Sequence, residues 1–267
     1  MRALGASSPL ADPLALPLRP AETARDFGAT VIIAPHQDDE SLGCGGLIAL
    51  LRRADQPVTV LFVSDGTGSH PRSRAYPAER LRDLRESEAL AALRELGVTP
   101  DAVTFLRLRD TAVPDAASPN FAAAAAQVRA VLQAVRPQTI VLPWRRDPHC
   151  DHRAAWQLVQ ETVPTLLERP RLLEYPIWVW ELAGVGDLPQ ADEVVGWRLD
   201  IDAVLPQKEA AIAAHRSQLG AVIDDDSEGF CLLPHVLAHF TRPWEIYLEG
   251  ADTAPIADRA RSTAGAR

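Results

Sequence analysis

The stretch from Val31 to Gly43, Val-Ile-Ile-Ala-Pro-His-Gln-Asp-Asp-Glu-Ser-Leu-Gly, constrains this chain more than any other. Its β-branched run reads as a strand buried on both faces, as in a parallel sheet. Pro35 ends regular pairing and the glycines from Gly43 open a helical segment, so His36, Asp38 and Asp39 belong in a loop at the strand's carboxyl end. Open α/β sheets carry their ligands at that edge. A histidine and a carboxylate this close can share one divalent cation, and the adjacent carboxylate then stays near any water the cation carries.

The rest of the chain alternates strand and helix. Val58–Val63 reads as a second buried strand, followed by a glycine-rich loop, Ser64–Ser69, and Val103–Leu108 and Thr139–Leu142 read as a third and a fourth strand. Leu42–Leu51, Arg80–Leu96 and the apolar series from Phe121 to Val135 read as helices, with Gly43, Gly45 and Gly46 allowing close packing near the start of the first. Strands at Tyr175–Trp180 and Arg198–Ile201 and a helix from Lys208 to Leu219 complete the pattern. Such alternation implies right-handed crossovers and a three-layer α/β/α domain with a mainly parallel, Rossmann-like sheet. One domain is expected over 28–251, with a proline-interrupted leading tail at 1–27 and a trailing tail at 252–267.

A parallel sheet brings the loop after the fourth strand to the same rim. There Asp147-Pro-His149-Cys-Asp151-His152 offers two histidines and two aspartates. His36, Asp39 and His152 then form a two-histidine, one-carboxylate zinc site with an open position for water. Asp38 is left as a general base and His149 as a donor of hydrogen bonds or a proton, with the Asp151 carboxylate fixing the His149 tautomer. Cys150 reads as a loop filler rather than a soft ligand. Arg85 and Glu88 share a helix face with apolar residues, which predicts either an ion pair or a contact with substrate; Asp110, at a strand exit, reads first as a turn-forming aspartate and second as a candidate for substrate binding. Glu40 near a helix N-terminus is explained by the dipole as readily as by function. Trp178 and Trp180 read as packing residues.

These motifs resemble those of the PIG-L/LmbE-like deacetylases. Ala-Pro-His-Gln-Asp-Asp-Glu at 34–40 is similar to their His-Pro-Asp-Asp-Glu motif, and Asp-Pro-His-Cys-Asp-His at 147–152 to their second motif. The likeness extends to Arg85 and Glu88 and to Lys208–Gln218, which includes His215. Gln37 and Cys150 stand where proline is frequent. The resemblance implies a zinc-dependent hydrolase removing acetyl from N-acetylglucosamine units. It makes His36, Asp39 and His152 the metal ligands, Asp38 the base, and His149 with Asp151 the pair that steadies the oxyanion and protonates the amine. The alternatives are an amidase for a larger acyl group or a sugar-thiol conjugate, and a nucleotide-sugar-binding protein or glycosyltransferase using Asp38-Asp39 to hold a metal-diphosphate.

A net charge of -9 carries no basic footprint for nucleic acid; the partner that the resemblance implies is a small amino sugar. No apolar run approaches membrane-spanning length. Three cysteines without zinc-type spacing predict a reducing compartment, the cytoplasm by default.

Overall fold

The computed structural model describes residues 8–252. In chain order its elements are β1 (Leu18–Arg19), β2 (Thr30–Ala34), α1 (Asp39–Arg53), β3 (Val58–Ser64), α2 (Ala78–Glu95), β4 (Val103–Leu108), α3 (Phe121–Val135), β5 (Thr139–Pro143), α4 (Cys150–Thr162), β6 (Arg171–Tyr175), β7 (Val194–Asp200), α5 (Leu205–Ala214), α6 (Pro234–Leu237) and β8 (Trp244–Gly250). The strands join in one sheet, ordered β1-β7-β8-β6-β5-β2-β3-β4, in which β8 alone runs antiparallel to its neighbours.

Both faces of β2 are buried, which is why it reads as an unbroken apolar run. Ile32 and Ala34 pack with Leu47, Ile48 and Leu51 of α1, while Val31 and Ile33 pack with Val128 of α3 and Leu158 of α4. The chain leaves β2 towards β3 and β4 on one side and returns to β5 and β6 on the other. The order therefore reverses between β2 and β5, and their carboxyl ends open a crevice there.

Glycine lets α1 lie close to its neighbours. A Cβ on Gly43 would stand 2.4 Å from the Tyr175 ring, and one on Gly46 would stand 2.6 Å from Ile201. Glu245 of β8 also reaches α1, accepting the Gly46 and Leu47 N–H groups at 2.7 and 2.8 Å and the Lys208 ammonium at 2.7 Å.

Several expectations are corrected. The strand at Tyr175–Trp180 is instead Arg171–Tyr175, followed by a 3-10 turn at Trp178–Trp180. Pro176 has no N–H for a ladder, and the Asp147 carboxylate takes those of Ile177 and Trp178. The helix read from Lys208 to Leu219 stops at Ala214, and a separate 3-10 turn spans Arg216–Leu219. Residues 8–27 are not a loose tail. Leu10 and Leu16 are buried against Trp144, Ile246 and Leu248, and β1 pairs with β7. Residues 1–7 and 253–267, including most of the trailing tail, lie outside the described residues.

Candidate active site

The crevice between β2 and β5 collects both motifs. Asp39 opens α1, and its Oδ2 accepts the His36 N–H at 2.9 Å. The same oxygen lies 3.2 Å from His36 Nδ1 and 3.2 Å from His152 Nε2, so one carboxylate oxygen bridges two imidazoles. Ring centroids of His36 and His152 are 5.3 Å apart.

The outward nitrogens meet carboxylates too. His36 Nε2 faces Asp151 Oδ2 at 3.1 Å and Asp110 Oδ1 at 3.2 Å, and His152 Nδ1 faces Asp147 Oδ1 at 3.4 Å. Both His152 nitrogens are buried without a well-formed hydrogen bond. Buried polar atoms in that condition call for a partner. Two ring nitrogens set on one carboxylate oxygen, each histidine backed by a second carboxylate, are donors of the kind a divalent metal takes. His149 brings a ring nitrogen within 4.8 Å of one from His36 and one from His152, so the three histidines also form a group that could hold a metal ion.

Asp38, between His36 and Asp39, adopts an unusual backbone conformation, φ 154° and ψ -28°. Residues in such regions cost about 1–3 kcal/mol and concentrate at functional sites. Glu40 holds the turn, its Oε2 accepting the Asp38 N–H at 3.0 Å, while its Oε1 accepts from Ser41 Oγ at 2.7 Å and faces His215 Nε2 at 2.9 Å. The carboxylate of Asp38 lies 3.5 Å from Arg85 Nη2. Burial lifts its pKa to about 6, against the pull of Arg85.

His149 caps the N-terminus of α4, its Nδ1 accepting the Asp151 backbone N–H at 3.2 Å. That hydrogen bond leaves Nε2 to carry the ring hydrogen of the neutral form. Burial and the charges of His36 and His152 push the His149 pKa down to about 4. For His36, burial alone would lower the pKa, but Asp110, Asp151 and Asp39 outweigh it and raise it well above its usual value. Burial likewise opposes ionisation of Asp39, yet the two histidines hold its pKa well below the usual range.

A cleft of about 280 Å³ opens over this chemistry, with His36, Asp38, Asp39, Arg85, Asp110 and His149 on its surface. Asp151 and His152 are buried beneath it. The Asp151 carboxylate does not reach His149 as expected. It accepts the Thr111 and Val113 N–H groups at 2.7 and 3.1 Å and faces His36, so the His149 tautomer is fixed by backbone instead. Arg85 and Glu88 do not pair with each other. Arg85 donates to Gly66 O and Gln37 O at 3.0 and 2.9 Å, whereas Glu88 accepts from the N–H and Oγ of Ser217 at 2.9 and 2.6 Å. Asp110 accepts the Gly68 N–H at 2.8 Å and faces His36. Cys150 turns its exposed Sγ to Thr111 O, 3.8 Å away.

Sequence reasoning gave no role to Asp147, the carboxylate behind His152, although its place five residues before that histidine was visible. Trp178, taken for core, lines the cleft.

A family model described as PIG-L: GlcNAc-PI de-N-acetylase matches residues 31–163. The chain is 30% identical over 203 residues to a probable N-acetyl-alpha-D-glucosaminyl L-malate deacetylase 2 of Bacillus subtilis, covering 74% of this chain and 86% of the relative. Among solved structures it is similar to N,N'-diacetylchitobiose deacetylase from Pyrococcus horikoshii, with a TM-score of 0.59, 22% identity and coverage of 74% and 73%. It is also similar to GalB, the 4-carboxy-2-hydroxymuconate hydratase from Pseudomonas putida, with a TM-score of 0.61, 18% identity and coverage of 84% and 96%. The fold thus hosts more than one reaction, and the argument for any one of them lies in the side chains.

Proposed function

Since the chain belongs to the PIG-L family, we propose that it is a zinc-dependent N-deacetylase acting on a small molecule that contains N-acetylglucosamine. The observation that carries this reading is the single Asp39 oxygen set 3.2 Å from both His36 Nδ1 and His152 Nε2, with Asp38 beside it in the cleft.

His36, Asp39 and His152 would hold the metal, and zinc bound there would polarise the amide carbonyl and lower the pKa of water. Asp147 behind His152, and Asp110 with Asp151 behind His36, fix the rings so that one nitrogen of each faces the shared point. Asp38 takes a proton from the attacking water, its strained turn and the Arg85 contact aiming the carboxylate into the cleft. Neutral His149 donates from Nε2–H to the oxyanion of the tetrahedral intermediate. Because its Nδ1 is engaged by the Asp151 N–H, the proton that reaches the departing amine is the one Asp38 took up. The C–N bond breaks, and acetate and the free amino sugar leave.

Asp38→Asn is expected to retain metal and lose most turnover, whereas His152→Ala loses metal. Metal content and acetate release measured on the same samples check this, and full activity in either variant would overturn the assignment. Chelator is expected to remove activity from the native chain and zinc to restore it.

The glycosyltransferase alternative needs cations for a diphosphate. Arg85 is the sole lysine or arginine lining the cleft, and it is engaged by backbone carbonyls. No helix among the described residues is long and apolar enough to cross a membrane. The chain's expected place is the cytoplasm, on the strength of three free cysteines.

A further inference from the structure

The cleft has two unlike walls. Gly68, Ser69, Asp110 and Thr111 make one of them polar, suited to sugar hydroxyls. Leu42, Trp178, Leu182 and Phe230 make the other apolar.

The apolar wall is built, not incidental. The Trp178 N–H donates to Asp147 Oδ2 at 2.9 Å, so the carboxylate that backs His152 also sets this side chain. Its ring meets Phe230 edge-on, with centroids 5.8 Å apart and planes at 81°. Phe230 is pinned across the mouth by its N–H, which donates to Ser69 O at 2.8 Å. The segment before it is fastened to the loop after β3 by Asp225, which accepts from Ser73 Oγ at 2.6 Å and from the N–H groups of Arg74 and Ala75 at 2.8 and 2.9 Å. At the rim Leu182 is 60% exposed, a large apolar side chain left in water beside the cleft.

Charge points the same way. Among the described residues lining the cleft, Arg85 is the one lysine or arginine, and it already donates to Gly66 O and Gln37 O and lies beside Asp38. A carboxylate on the incoming molecule would find no unengaged cation among the lining residues and would meet the acid of Asp110. Two aromatic rings and two leucines also offer more apolar surface than one face of a pyranose covers.

We propose that the group joined to the amino sugar is uncharged and apolar, an aryl or alkyl aglycone seated against Trp178, Leu182 and Phe230, and not the malate that the Bacillus subtilis relative is named for. This rests on the deacetylase reading above.

The test compares kcat/KM of the zinc-loaded protein, from released primary amine, on the phenyl, octyl and malate glycosides of N-acetylglucosamine. The phenyl or octyl glycoside is expected to exceed the malate conjugate by about tenfold or more, as one apolar contact of this size allows. Phe230→Ala, or Leu182→Ser at an exposed position where folding is not at risk, narrows that ratio, chiefly through KM. A malate conjugate turned over equally well, or a ratio that neither variant changes, overturns the proposal. If no glycoside loses acetate, the deacetylase reading fails, and calorimetric binding of phenyl glucosaminide against glucosaminyl malate decides the wall. Tighter phenyl binding upholds it; equal or tighter malate binding overturns it.

Discussion

Asp147 shows how one buried carboxylate serves both halves of a site. Its Oδ1 faces His152 and its Oδ2 holds the Trp178 N–H. Asp147→Asn is expected to weaken zinc binding by about 10–100-fold, the usual effect of losing a carboxylate behind a ligating histidine. Competition with a chromogenic chelator measures it, and unchanged affinity would remove Asp147 from the metal's support. Asp38 sets the pH response. A base must be ionised to act, so kcat/KM falls as pH drops through its pKa, at or below about 6 because burial raises that value and a bound cation draws it down. A pH profile of the native chain, compared with the residual rate of Asp38→Asn, checks the assignment; an acidic limb that persists in the variant belongs to another group. The gathering of His36, Asp38, Asp39, His149 and His152 at one cleft was legible because they sit in two short motifs at strand ends. The residues holding them were not. Glu40 looks like an ordinary helix-start carboxylate, and only the fold brings His215, far along the chain, to within 2.9 Å of it.

Among the elements, the strands and helices from β2 to α4 were legible because burial on both faces of a parallel sheet writes continuous apolar runs and regular helical spacing into the chain. β8 was not. It carries Glu245 and Glu249, whose charges break an apolar run, and both are buried, Glu245 on Lys208 and two α1 N–H groups, Glu249 on Arg171 and Trp197. The glycines of α1 were read correctly as close-packing residues, and their tolerance is narrow. Gly46→Ala places a methyl group 2.6 Å from Ile201 and is expected to cost about 1–3 kcal/mol, as overpacking does. Urea denaturation gives the value, and Ile201→Ala in the same chain should recover part of it. Additive losses in the double variant would mean that this contact is not the cause.

For the whole molecule, the largest misreading concerns the first residues. The prolines at 9, 13, 17 and 20 look like punctuation in a loose leader, yet two of the leucines between them fill a cluster that includes Trp144, at the base of the loop carrying His149. Deleting residues 1–19 is expected to cost roughly 3 kcal/mol or more by apolar area, a Tm drop on the order of 6–12 °C. Differential scanning calorimetry measures it, and an unchanged Tm would return the segment to the status of a tail. The antiparallel strand has a consequence for biosynthesis. β8 sits between β6 and β7, so among the described residues the two parts of the sheet are joined by a strand that is made after all the others in it. The motif loops, both complete by residue 152, can come together while β1 and β7 still lack a seat. A nascent chain halted before Trp244 would then hold its two histidine motifs together while exposing the edge of β6, and would depend on chaperones until the closing strand slots in.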